Sequence, residues 1–132
     1  MSNKKILVLD SVSDVSEMLN MHLEGYGYQS VSKTNWVQAL RHINEWNPDA
    51  IVLGFGLKPE QACEVLTILN EEFIQTRKSI PVVILGLVEE NSRGAGVLEN
   101  FSNLFLRFCP YETNSLYAHV ENLLDAASGA AA

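Results

Sequence analysis

Asp10 follows the apolar run Ile6-Leu7-Val8-Leu9, and Gly54 follows a second one, Ala50-Ile51-Val52-Leu53. In an alternating α/β chain the positions just beyond such strands face the binding crevice. A carboxylate there can hold a divalent cation or accept a phosphoryl group. Asp10 has that chemistry and Gly54 has none. With Ser11 beside it, Asp10 would give magnesium few anionic ligands, so it reads as a solvated loop acid or a helix cap. Gly54 and Gly56 are spaced like part of a phosphate-cradling loop, but no third glycine and no Lys-Ser/Thr pair follows. A tight turn is the better reason for them.

Other chemistry-bearing residues are scattered. Cys63 and Cys109 stand far apart and form no CxxC pair, which supports neither a disulfide framework nor a metal site. Cys109 has no Lys or His neighbour to activate it and reads as a packed or idle thiol. His22, His42 and His119 pair with no Cys or Asp at a catalytic spacing. The Glu71-Glu72 and Glu89-Glu90 pairs read as solvated helix ends. No GxSxG, HExxH or P-loop occurs, so neither an enzyme nor a cofactor nor a metal is expected.

The elements that must position these residues alternate. Ile6–Leu9 predicts a strand buried on both faces. Val15, Met18, Leu19, His22 and Leu23 recur at helical spacing, with Gly25 as the stop. Residues 28–32 predict a half-exposed strand. Thr34 is expected to cap a helix whose inner stripe is Trp36, Ala39, Leu40 and Ile43, with Trp46 partly exposed near its end. Residues 50–55 predict the third strand, Pro59 opens a helix carrying Ala62, Cys63, Leu66 and Leu69, and residues 81–85 predict a fourth strand. Residues 87–101 are irregular, with Gly94 and Gly96 weakening any helix. Residues 104–108 predict a fifth strand, and Thr113 caps a last helix with Leu116, Val120, Leu123 and Leu124 inward.

Five strands alternating with helices predict an α/β fold, one doubly wound five-stranded parallel sheet with helices on both faces. A chain of 132 residues with 47% hydrophobic and 19% charged residues suits one globular domain. Residues 1–126 are expected to form it, with 127–132 as a linker or tail. A net charge of -7 argues against a nucleic-acid surface. The apolar run after Lys4-Lys5 stops at Leu9, too short for a signal peptide, and no window reaches membrane-span length. A cytoplasmic protein is expected.

Pro48-Asp49-Ala50-Ile51-Val52-Leu53-Gly54-Phe55-Gly56-Leu57-Lys58-Pro59 resembles the third-strand segment of bacterial response-regulator receiver domains. Lys5-Ile6-Leu7-Val8-Leu9-Asp10, Leu23-Glu24-Gly25-Tyr26-Gly27-Tyr28, Ile80-Pro81-Val82-Val83-Ile84-Leu85-Gly86 and Cys109-Pro110-Tyr111 extend the resemblance over residues 4 to about 126. It implies the receiver fold and a phosphorylation site that has been dismantled. Gly54 replaces the acceptor aspartate, Ser11 the second magnesium-binding acid, Gly86 the hydroxyl residue and Cys109 the lysine. Asp10 alone keeps its type, and Pro110 is expected to follow a cis bond, as the family often has there.

Val52-Leu53-Gly54, the Glu- and Leu-rich helix after it and Pro81-Val82-Val83-Ile84-Leu85-Gly86 further resemble the N-terminal domain of FleQ/FlrA-type flagellar regulators. That resemblance implies a non-phosphorylatable regulatory and dimerisation domain of a sigma-54-dependent activator. Its partners would be a second copy, the ATPase and DNA-binding domains of the same full-length protein and an antiactivator protein. The dimer face would run through residues 90–126, offering Leu98, Phe101, Leu106, Tyr111 and Tyr117, whose alternative role is core packing. Two rival readings are an atypical receiver phosphorylated at Asp10 or Asp49, and a flavodoxin-like module holding a ligand in the vacated crevice.

Overall fold

The computed structural model describes residues 4–54, 59–76, 80–86, 106–110, 120, 121 and 124. The chain order is β1 (Lys5–Leu9), α1 (Ser13–Gly25), β2 (Gln29–Lys33), α2 (Trp36–Trp46), β3 (Ala50–Leu53), α3 (Pro59–Thr76), β4 (Val82–Gly86) and β5 (Leu106–Pro110). The strands form one parallel five-stranded sheet ordered β2-β1-β3-β4-β5. The expected fold class is the one observed. Residues 87–101, expected to be irregular, and the start of the last helix lie outside the described residues. Val120, Glu121 and Leu124 are helical, and Val120 and Leu124 are buried.

Side chains alternate across the sheet as the two-residue period of a strand requires. Ile6, Val8, Ala50, Val52 and Val83 pack on one face with Leu19 and Leu23 of α1 and with Val120 and Leu124. Leu7, Leu9, Ile51, Leu53 and Val82 pack on the other with Ala39 and Ile43 of α2 and Val65, Leu66, Leu69 and Phe73 of α3. Strands β1 and β3 are apolar at almost every position because both of their faces are covered. On the α1 face, the Tyr28 hydroxyl also donates to Glu121 Oε1 at 2.7 Å, tying the last helical segment to the start of β2.

Three local expectations change. Asn35, not Thr34, caps α2: its side-chain oxygen accepts from the N–H groups of Val37 (2.8 Å) and Gln38 (3.4 Å). Trp36 is 40% exposed and not core, because it is the first residue of α2 and the inner stripe begins a turn later at Ala39. The cis bond expected before Pro110 is the third; α1 itself ends at Gly25, as expected, and the turn after it uses Gly27, whose φ of 98° lies in the left-handed region. Trp46 is half-buried, as expected, and its ring lies 5.7 Å from Lys5 Nζ. No cis peptide bond occurs among the described residues, which leaves the one expected before Pro110 without support.

In urea denaturation, Asn35→Ala should cost about 1 kcal/mol and Thr34→Ala close to nothing. Equal costs would put the cap elsewhere. Leu66, fully buried in α3, should cost about 2–5 kcal/mol when replaced by alanine.

Candidate functional site at the carboxyl edge of the sheet

The strand register determines which residues meet. Leu9 pairs with Leu53, Leu53 with Ile84, and Ile84 with Phe108. One residue further along, Asp10, Gly54 and Cys109 therefore reach the same rim of the sheet, with Leu85 facing Cys109 and Gly86 facing Pro110. The rim is where an open parallel sheet places its binding crevice. Backbone bonds hold its near half: Gly54 N–H donates to the Leu9 carbonyl at 2.9 Å, and Asp10 N–H donates to the Lys33 carbonyl at 3.2 Å. The side chain of Cys109 lies outside the described residues, as do Leu98, Phe101, Tyr111, Tyr117, Gly56 and the Glu89-Glu90 pair. Leu106 is placed by its backbone, opening β5 opposite Val82.

Of the two roles expected of Asp10, a solvated loop acid or a helix cap, burial rules out the first. The residue is fully buried. One carboxylate oxygen accepts the Val12 N–H at 2.8 Å, closing an Asx turn just before α1. The remainder of the side chain lies against Gly54. A Cβ built on Gly54 would stand 2.8 Å from Asp10 Cγ and 2.9 Å from Asp10 Cβ, with Asp10 Oδ2 closer still. A carboxylate oxygen could swing aside, but Asp10 Cβ is fixed to the backbone of β1's end. Gly54 is therefore required by close approach and not by a left-handed turn. The surviving acid occupies the space that any side chain at position 54 would need.

Ser11 is exposed, and its hydroxyl donates to Gln61 Oε1 of α3 at 3.4 Å. Beside it a crevice of about 130 Å³ opens between Leu9, Ser11, Thr34, Trp36, Gln61, Glu64 and Val65. Sequence reasoning did not single out Gln61 or Glu64; the signal for them was their place one turn after Pro59, at the start of a helix leaving the crevice. Asp49 lies at the opposite end of the sheet, just before β3, where its carboxylate accepts the Lys5 N–H at 2.8 Å. His22 sits on α1 and His42 on α2, on different faces of the sheet. Glu72 Oε1 accepts from Asn44 Nδ2 at 3.4 Å, and Glu71 is exposed near the end of α3. No cluster of three His, Cys, Asp or Glu that could hold a metal occurs among the described residues. Nor is any helix among them long and apolar enough to cross a membrane.

Over 95% of its length the chain superposes on 99% of a Francisella response-regulator receiver domain, with a TM-score of 0.74 at 24% identity. The chain has the receiver fold. The same fold matches 28% of NtrX from Brucella abortus, at a TM-score of 0.74 and 19% identity over 96% of this chain. Among curated proteins, the transcriptional regulatory protein PrrA of Mycobacterium leprae is 28% identical over 124 residues, 93% of this chain and 51% of PrrA. The phosphate regulon regulator PhoB of Klebsiella pneumoniae is 26% identical over 122 residues, 92% of this chain and 52% of PhoB. This receiver-like chain thus spans about half the length of the curated relatives it matches. No family model matches it.

The close approach at position 54 can be measured. Gly54→Ala should destabilise the receiver fold by about 1–3 kcal/mol, as overpacking does. Asp10→Gly removes all three crowding atoms, so Gly54→Ala should cost at least about 1 kcal/mol less in that background. Additive effects would mean that the approach is not the constraint.

Proposed function

We propose that this chain is a receiver-like regulatory and dimerisation domain that works without aspartyl phosphorylation. Its host would be a sigma-54-dependent transcription activator controlling flagellar genes. The observation that carries the first part is Gly54 with Asp10 packed over it: the acceptor position has no nucleophile and no room for one. Control of transcription is supported by the similarity to PrrA and PhoB, both transcriptional regulatory proteins by name. The sigma-54 and flagellar assignment is supported by Val52-Leu53-Gly54 and Pro81-Val82-Val83-Ile84-Leu85-Gly86.

Without a phosphoryl switch, regulation reduces to protein contact. Strand β5 is a sheet edge, so the side that Leu106 opens has no further strand beyond it among the described residues. A second copy bound there, through the face that includes Leu98, Phe101, Leu106, Tyr111 and Tyr117, would associate constitutively. The ATPase and DNA-binding domains of the host and an antiactivator protein are the other partners this reading implies. Phosphorylation at a non-standard acid is disfavoured at both candidates. Asp10 is buried, and Asp49 is at the far end of the sheet and bonded to the Lys5 backbone.

Sedimentation equilibrium should show the same association with and without magnesium and beryllofluoride, a phosphoryl mimic. A dimer formed only with the mimic would overturn the proposal. So would a strictly monomeric domain whose deletion leaves assembly of the full-length activator unchanged.

A further inference from the structure

We propose that the crevice beside Ser11 is a binding site for a small organic cation, a protonated amine carried on an aromatic or apolar body. Three independent features converge on this class. The cavity of about 130 Å³ has an apolar floor, Leu9 and Val65, that would take the body of a ligand. Trp36, the first residue of α2, forms a wall of it and remains 40% exposed. An exposed indole in a crevice wall can attract cations through its ring quadrupole. The charged group among the described lining residues is Glu64, which has no hydrogen-bond or ion-pair partner among the described residues.

The remaining polar lining is the hydroxyls of Ser11 and Thr34 and the amide of Gln61, which can all accept from an ammonium group. None of the described lining residues is Lys, Arg or His. By contrast, the described lining of the hollow along α1 is Asp14, Glu17, Met18, Met21 and His22, all from one helix. The cation site does not depend on the dimerisation reading above.

The test is NMR titration of the whole chain with benzylamine, benzyl alcohol and benzoate as probes. Benzylamine should give saturable shifts at the Trp36 indole N–H and at the Ser11 and Gln61 amides. Benzyl alcohol should bind more weakly, and benzoate should not bind. Glu64→Gln, at an exposed position on α3, and Trp36→Leu should each weaken benzylamine about three- to fivefold, in line with a partly exposed cation–aromatic site. No saturable shift with benzylamine would overturn the site. Equal binding of benzyl alcohol, or unchanged affinity in Glu64→Gln, would overturn its selectivity for cations. Sedimentation reports on dimerisation separately, so failure of one reading leaves the other standing.

Discussion

The contact between the Asp10 side chain and the Cα of Gly54 governs the carboxyl edge of this sheet. Strands β1 and β3 are adjacent and in register from Ile6–Ala50 to Leu9–Leu53. Gly54 N–H then bonds the Leu9 carbonyl, which carries the pairing one step past the strands. At that step the two chains are too close for two side chains, and the structure holds one. A buried carboxylate is costly unless it is hydrogen-bonded. Asp10 meets that condition by accepting the Val12 N–H, which also orients the start of α1. The acid that a phosphorylatable receiver would use for magnesium is here a structural element.

Function follows from that placement. On the proposed reading, a rim with no acceptor gives its loops no covalent signal, and information reaches the domain as a contact. Among the described residues two places are proposed for it: the edge strand β5, and the crevice between Ser11 of the β1–α1 connection, Trp36 of α2 and Gln61 of α3. They lie on different parts of the fold. Association along β5 therefore need not compete with a ligand held beside Ser11.

The strands were legible because β1, β3 and β4 are continuously apolar, a pattern that a doubly covered parallel sheet imposes; the predicted boundaries shifted by only one or two residues. Helix stripes were legible at Leu19, Leu23, Ala39, Ile43, Leu66 and Leu69 for the same reason of burial. Neighbouring residues with equivalent chemistry were not distinguishable: Thr34 and Asn35 can both cap, and the backbone at 35 decided between them. Trp36 fits the stripe by spacing, yet it stands where α2 starts, at the crevice. The identity of the rim residues was readable from strand ends. The burial of Asp10 was not, because it depends on how closely β3 approaches β1, a distance no local pattern encodes. Gln61 and Glu64 escaped notice because a polar pair on a helix looks like any solvated face until the fold turns it toward a cavity.

Intact-mass analysis after incubation with acetyl phosphate and magnesium tests the central claim most directly. An unchanged mass, under conditions that phosphorylate an ordinary receiver, is the result expected of a rim with Gly54 at the acceptor position. A phosphoryl adduct mapping to Asp10, or to any other acid of the rim, would contradict it.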